Sequence, residues 1–163
     1  MSPIVTRIDF AVTAHRSALV YMLDLYARDE TGLGTGLADT VKANLADMLA
    51  SRAHYAGWIA WVNGQAAGLV NCFEGVSTFR AQPLLNIHDI VVAPPYRRRG
   101  IARALLDAVE FEARRLGCCK LTLEVLTGNL PAINAYLEAG FKPYGLDPRL
   151  GSAQFFEKKF YGD

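Results

Sequence analysis

The stretch from residue 84 to 126 constrains the fold of this chain most. Residues 84–92 form an apolar run that ends at a Pro-Pro pair, residues 100–116 carry apolar side chains at helical spacing, and residues 120–126 alternate again. A strand, a helix and a second strand in this order form a crossover between two parallel strands of one sheet. The chain is therefore predicted to fold into the α/β or α+β class.

Helices and antiparallel strands are predicted on either side of this unit. Before it, a first helix places Tyr26 on its buried face, and Asn63-Gly64 marks a hairpin turn. After it, Asn129 is positioned to cap a helix that Gly140 ends. The strands predicted outside the unit are 4–12, 55–62, 66–73, 141–144 and 153–160. Together these elements predict a mixed, mostly antiparallel central sheet of about seven strands, with helices on both faces.

Composition and charge disfavour several classes of protein. The 163 residues, of which 52% are hydrophobic and 20% charged, predict one domain over 1–163 with its own core. A formal net charge of +1 gives no reason to expect nucleic acid or a membrane surface as partner, and no apolar run reaches the ~18 residues of a membrane span. Cys72, Cys118 and Cys119 have neither metal-ligand spacing nor the density of a disulfide framework. They predict reduced thiols, no bound metal and a cytoplasmic location.

The turn between the predicted strand and the long helix has the chemistry of an anion site. The first N–H groups of a helix lack internal partners and carry partial positive charge, and Gly100 leaves room for a ligand beside them. Arg97, Arg98 and Arg99 precede this glycine, although cations are unfavourable at a helix N-terminus unless an anion binds there. A solvated basic patch and a nucleic-acid contact are the alternatives. The chain lacks the wider basic face and interleaved aromatic residues of a nucleic-acid site.

Two motifs resemble those of one enzyme family. RRRGIA, from Arg97 to Ala102, resembles the acetyl-CoA loop R/Q-x-x-G-x-G/A of the GNAT acetyltransferases, with Ala102 in place of the second glycine. NLPAINAYLEAGF, from Asn129 to Phe141, resembles the later motif N-x-x-A-x-x-x-Y-x-x-x-G-F of the same family. The half of the chain that carries both motifs is similar to the diamine N-acetyltransferases. The resemblance implies the GNAT fold and transfer of an acetyl group from acetyl-CoA to an amine.

The resemblance also implies roles for individual residues. The strand backbone would pair with the pantetheine arm of the cofactor, the basic turn would hold its pyrophosphate, and the later helix would contact its arm. The implied cofactor-binding residues are Ile90, Val91, Val92, Arg97, Arg98, Arg99, Gly100, Ile101, Ala102, Arg103, Asn129 and Ile133. Tyr136 matches the family's proton donor to the departing thiolate, although its spacing alone also suits a core residue.

The base and the acceptor site remain open at this level. His88 occupies the position of a carboxylate in the similar diamine enzymes, and histidine titrates in the physiological range. Strand alternation places Asp89 on the opposite face from His88 and places His88 with Ile90. Asp89, or water and the substrate alone, are the alternatives. Asp29 and Glu30 precede a glycine-rich loop and are the candidates for binding a cationic acceptor.

Other functions use the same fold. A non-catalytic sensor of acyl-CoA needs the cofactor site but neither acid nor base, and a peptide N-terminus or lysine can replace a small-molecule amine as acceptor. Apolar residues near the end of the chain allow a homodimer: Phe155, Phe156, Phe160 and Tyr161. No flavin, nicotinamide or nucleoside triphosphate is expected, because neither G-x-G-x-x-G nor G-x-x-x-x-G-K-[ST] occurs.

Overall fold

The computed structural model describes residues 2–145, 147, 149, 151 and 153–160. Within them the chain forms five strands and four α-helices. The strands are β1 (Ile4–Arg7), β2 (Tyr55–Val62), β3 (Gln65–Ser77), β4 (Gln82–Val92) and β5 (Leu121–Leu123). The helices are α1 (Thr13–Arg28), α2 (Asp39–Ala50), α3 (Ile101–Arg115) and α4 (Leu130–Glu138), with a 3₁₀ turn at Pro94–Tyr96.

The strands form one mixed sheet in the order β1-β2-β3-β4-β5. All neighbours are antiparallel except β4 and β5, which are parallel and are joined through α3, as the strand–helix–strand pattern predicts. The β2–β3 turn confirms the hairpin signal, because Asn63 (φ 51°) and Gly64 (φ 75°) both adopt the left-handed conformation of a type I′ turn.

Helices cover both faces of the sheet, as predicted. On one face, α1 buries Leu19 and Met22, and α2 buries Leu49, in a cluster with Ile59 and Leu69. On the other, α3 packs its apolar stripe against β2, β3 and β4. Gly68 lets α3 approach β3 closely, because a Cβ at this position would lie 2.8 Å from Cγ2 of Ile101. This contact fixes the N-terminus of α3 against the centre of the sheet.

The prediction of about seven strands is wrong for the described residues, which form five. Phe141 does not begin a strand, because its N–H donates to the carbonyl of Tyr136 and closes the end of α4. Residues 153–160 pair with no described strand, and Phe155, Phe156 and Phe160 are 79–83% exposed. Apolar residues form a strand only where a neighbouring backbone offers hydrogen bonds, and that partner is not encoded locally. Tyr161 lies outside the described residues.

The first strand is also shorter than the predicted 4–12. Asp9 forms a turn in which its carboxylate accepts from the N–H of Ala11 and its carbonyl accepts from that of Val12. This turn ends the extended conformation before α1. In the described part of the chain, no helix has both the length and the apolar character needed to cross a membrane. Those residues also contain no cluster of three metal-binding side chains, and the three cysteines are free.

Candidate active site

The candidate site lies along the half of β4 that has a neighbouring strand on only one edge. β5 pairs with β4 only at Leu85, Asn86 and Ile87, so beyond Ile87 this edge of β4 has no strand partner among the described residues. The N–H of Ala93 donates to Ala67 on β3. Because N–H and C=O groups of successive residues alternate between the two edges of a strand, Val92 and Ile90 direct theirs to the open edge. Of the predicted backbone contacts, Ile90 and Val92 therefore direct their N–H and C=O groups to the edge without a strand partner, where the Val92 carbonyl accepts from Nε of Arg97, whereas those of Val91 face β3.

A β-bulge at His88 changes which face the following residues occupy. The pairing with β3 passes from Asn71 opposite Asp89 to Cys72 opposite Ile87, which leaves His88 as an extra residue. Asp89 consequently lies on the α1 side of the sheet, where it accepts a hydrogen bond from Asn71. His88 is exposed, and the edge of its ring contacts Phe73 on that same side, with 5.5 Å between ring centroids.

The bulge therefore corrects two predictions from strand alternation. Asp89 does not lie on the opposite side from His88, and His88 does not share its side with Ile90, which packs against the α3-facing cluster. An extra residue inverts the alternation beyond it, and no residue type at this position announced the insertion. Both candidate bases lie on the α1 side of the sheet.

A hydrogen-bonded chain holds Asp89 in place. The Tyr55 hydroxyl donates to Oδ1 of Asn71 at 2.8 Å, and Nδ2 of Asn71 donates to Oδ2 of Asp89 at 3.0 Å. Asn71 is buried, so both of its bonds form away from bulk water, and burial raises the pKa of the Tyr55 hydroxyl. Sequence reasoning missed Tyr55 and Asn71. The available signal was an amide within an otherwise apolar strand.

Tyr26 was also missed, because its helical spacing predicted only a core residue. It is partly buried against the α1-side cluster. Burial, together with the negative charges of Asp89 and Asp29, raises the pKa of its hydroxyl. Tyr26 in turn contributes to raising the pKa of Tyr136. The Tyr26 hydroxyl is therefore coupled electrostatically to both aspartates and to the tyrosine of α4.

The basic turn adopts the open conformation that an anion cradle needs. Arg98 (φ 60°) and Gly100 (φ 77°) are both left-handed, and α3 begins at the next residue, Ile101. A Cβ at Gly100 would meet no atom within 4 Å, so the glycine serves the backbone angle and leaves space above the helix end free. Arg98 is exposed and pairs with no described side chain, and the Arg99 guanidinium lies 5.9 Å from the centroid of the Tyr96 ring.

The other two arginines of the predicted cradle are engaged. Arg97 donates from Nη2 to Oδ2 of Asp29 at 2.7 Å and from Nε to the carbonyl of Val92 at 3.1 Å. Arg103 donates to Asp107 and to the carbonyl of Glu138, which ties α3 to the end of α4. The structure thus places Arg97 between the open edge of β4 and the loop that follows α1.

Asp29 and Glu30, the predicted acceptor residues, have different surroundings. The Arg97 guanidinium, with help from Thr31, lowers the pKa of Asp29 to about 2. Oδ1 of Asp29 accepts from both the N–H and the hydroxyl of Thr31. Glu30 is exposed and forms no hydrogen bond or ion pair with the described residues. The structure therefore brings Asp29 into the candidate site but gives Glu30 no place in it.

The structures of the two ends of helix α4 position Tyr136. Asn129 caps the start, with Oδ1 accepting from the N–H of Ala132 at 3.3 Å. At the other end, the N–H of Gly140 donates to Leu137 and that of Phe141 to Tyr136, which is a Schellman motif with Gly140 at φ 91°. The Phe141 ring packs 6.0 Å from the Tyr136 ring, as such motifs favour. The spacing Y-x-x-x-G-F thus corresponds to a helix C-terminus at which the phenylalanine packs on the tyrosine and holds it in place.

The Tyr136 hydroxyl is suited to donate a hydrogen bond. Burial, and to a lesser extent Tyr26, raises its pKa to about 12, so it is protonated at neutral pH. It has no hydrogen-bond partner within the described part of the chain. Of the remaining predicted contacts, Ile133 is half-buried on the same helix, and the carbonyl oxygen of the Asn129 side chain is used by the cap.

The sequence that carries these features matches a family of known enzymes. The sequence profile described as "Acetyltransferase (GNAT) family" matches residues 19–141. The chain belongs to the GNAT acetyltransferase family. The matched range contains α1 from residue 19 onward, the bulged β4, the basic turn and Tyr136, so the GNAT profile spans the candidate site.

Curated relatives are acetyltransferases with different names. Streptothricin acetyltransferase from Streptomyces lavendulae is 41% identical over 101 residues, covering 61% of this chain and 51% of the relative. L-ornithine N5-acetyltransferase NATA1 from Arabidopsis thaliana is 37% identical over 90 residues, covering 53% of this chain and 40% of the relative. This GNAT chain thus matches only about half of the length of these relatives.

Solved structures show the same fold at low identity. Aminoglycoside N-acetyltransferase AAC(6')-Iy, in complex with CoA, superposes with a TM-score of 0.75 and 18% identity, covering 96% of this chain and 95% of that protein. The expected GNAT fold is therefore confirmed.

We expect the hydrogen-bonded chain behind Asp89 to contribute to stability. Tyr55→Phe leaves the buried Oδ1 of Asn71 without its donor, and such a loss costs about 1–3 kcal/mol in free energy of unfolding. Tyr21→Phe is the matched control, because Tyr21 lies on α1 and is 56% exposed. Urea denaturation measures both variants. An equal, small loss in the two would show that the Tyr55 hydroxyl does not support Asn71.

Proposed function

We propose that this protein is an acetyl-CoA-dependent N-acetyltransferase that transfers the acetyl group directly to a primary amine of a small molecule in a ternary complex. One juxtaposition carries the proposal: the β4 edge without a strand partner leads into a left-handed turn at the N-terminus of α3, and Tyr136 on α4 packs against the same core cluster as Ile90 and Val92 of that edge. The names of the relatives, which refer to streptothricin and ornithine, support small amines as acceptors.

Two parts of the site fit acetyl-CoA. The open edge at Ile90 and Val92 offers N–H and C=O groups to the amides of the pantetheine arm, in the way that an added strand would use them. The space above Gly100, the free N–H groups of α3 and the unpaired Arg98 suit a pyrophosphate. Both parts lie on one continuous segment, from the bulge to the start of the helix.

The proposed chemistry is a single displacement. The neutral amine attacks the thioester carbonyl, the new N–C bond forms, the C–S bond breaks, and the thiolate leaves with the electron pair. The amine nitrogen loses one proton to a base and keeps the other in the amide, and the Tyr136 hydroxyl donates a hydrogen bond, and finally its proton, to the departing sulfur. A thiol has a pKa of about 8.5, well below that of the buried phenol, so the phenol acts mainly as a hydrogen-bond donor as the charge on sulfur develops.

His88 is the proposed base, with Asp89 as the anionic partner of the amine. The bulge brings both to the α1 side of the sheet, and the Asn71 amide fixes the Asp89 carboxylate there. An acceptor ammonium near that carboxylate would pass its proton to an imidazole nitrogen of His88. The sensor alternative needs neither group, and the presence of His88 and Asp89 together on one side of the sheet supports catalysis over it.

The function is tested by mixing the protein with acetyl-CoA and a panel of amines. We expect thiol release and an acetylated product with at least one amine, and a rise in melting temperature with CoA by mass action. Gly100→Glu fills and charges the cradle, and should abolish both signals. Gly117→Glu is the matched control, because Gly117 also has a positive φ (70°) and lies at the other end of α3.

Two outcomes would contradict this proposal. A folded Gly100→Glu variant that keeps the CoA shift would place the cofactor elsewhere. Binding of CoA without thiol release for any amine would favour the sensor.

Tyr136→Phe tests the proton donor. The change keeps the ring against Phe141 and removes only the hydroxyl. General acid catalysis contributes about 10²–10⁴-fold, so turnover should fall by that factor while acetyl-CoA affinity changes by less than about threefold. Single-turnover rates and melting temperature are measured on the same preparation, with Tyr21→Phe as control. Turnover within about twofold of the wild type would remove Tyr136 from the chemistry.

His88→Ala tests the base through its dependence on pH. An alkylamine with a pKa of about 10.4 is almost fully protonated at pH 7 and about a hundredfold more of it is neutral at pH 9. The loss of turnover should therefore be larger at pH 7 than at pH 9. Asp89→Asn should lower turnover about equally at both. A loss that is uniform with pH in His88→Ala would assign it a positioning role instead.

A further inference from the structure

Arg97 joins two parts of the site that have different tasks. Its Nε–H donates to the carbonyl of Val92, and its Nη2 to Oδ2 of Asp29, at 3.1 and 2.7 Å. Val92 lies on the open edge of β4, whereas Asp29 ends α1 and begins the loop toward α2. One guanidinium therefore bridges the edge of β4 proposed to bind the cofactor and the loop after α1 proposed to bind the acceptor.

The bond to Val92 conflicts with the proposed binding of the cofactor. The Val92 carbonyl is one of the few backbone groups that face the open edge, and the pantetheine arm would occupy the same strip. A guanidinium in that position stands where the arm must lie. Arg97 also precedes Gly100 by only three residues, so a rotation of its side chain would bring the charge toward a pyrophosphate bound at the N-terminus of α3.

Asp29 is held in place independently of Arg97. Its Oδ1 accepts two hydrogen bonds from Thr31, and the N–H of Gly32 donates to its carbonyl. The carboxylate is 20% exposed, and its low pKa keeps it charged throughout the physiological range. If Arg97 leaves, a fixed and partly desolvated anion remains, and such a charge requires another cation.

We propose that Arg97 is an exchange residue: it neutralises Asp29 in the free protein, moves to the pyrophosphate when acetyl-CoA binds, and thereby exposes Asp29 to a cationic group of the acceptor. The inference rests on the proposed function. It makes the anionic acceptor site a consequence of cofactor binding, so the cofactor binds first. The acceptors selected in this way carry a second positive charge besides the reacting amine.

The exchange predicts that Asp29 competes with CoA for Arg97. Asp29→Asn removes the competing charge but keeps an oxygen that can accept from Thr31, so the turn is retained. We expect CoA, measured by isothermal titration calorimetry, to bind about two- to fivefold more tightly to this variant, in line with a partly exposed ion pair. Asp47→Asn is the matched control, because Asp47 forms a 2.6 Å pair with Arg16 between α1 and α2. It should leave CoA affinity unchanged.

A double-mutant cycle separates exchange from a general charge effect. In the Arg97→Gln background, Asp29→Asn should no longer change CoA affinity. An equal gain in both backgrounds, or no gain with Arg97 present, would overturn the inference and leave the proposed function intact. Failure of the wild-type protein to bind CoA would overturn the proposed function itself. As a second readout, the NMR signal of the Arg97 Nε–H, identified with Arg97→Gln, should shift on adding CoA; a signal that stays in place also refutes the exchange.

Discussion

At its beginning, β4 pairs with a strand on each edge, β3 and β5, whereas toward its end it pairs only with β3. The site depends on this difference. Where β5 stops, the backbone of Ile90 and Val92 is left with hydrogen-bonding groups that no described strand satisfies. Such groups are costly when buried, so the edge stays accessible and suits a ligand that offers amides. Antiparallel pairing with β3 continues along the whole of β4, and this keeps the open edge rigid.

Two helix ends then supply the polar chemistry around this edge. The N-terminus of α3 is held to the sheet at Gly68, so its free N–H groups have a fixed direction. The C-terminus of α4 closes in a Schellman motif that packs Phe141 on Tyr136. None of the residues of α4 is fully buried, so the motif and the Arg103 contact with Glu138 contribute much of what positions the tyrosine.

Features with local physical causes could be predicted from the sequence. The Asn63-Gly64 turn, the Asn129 cap and the left-handed Gly100 and Gly140 each follow from the conformational preferences of a single residue or pair. The bulge at His88, the short β5 and the unpaired residues 153–160 depend on which strands meet, and that information is distributed along the chain. The predicted faces of His88 and Asp89 were wrong for this reason, because one inserted residue inverts the alternation on which the prediction relied.

The Asp29–Arg97 pair explains two local conflicts at once. An acid at the C-terminus of α1 and an arginine near the N-terminus of α3 each lie at the unfavourable end of a helix dipole. In the free protein these two mismatched charges neutralise each other at 2.7 Å. Each of them nevertheless lies at a helix end that prefers the opposite charge, which is the electrostatic basis of the proposed exchange with an anionic cofactor and a cationic acceptor. Charges that would be poor choices for stability alone are therefore consistent with a site built to exchange its partners.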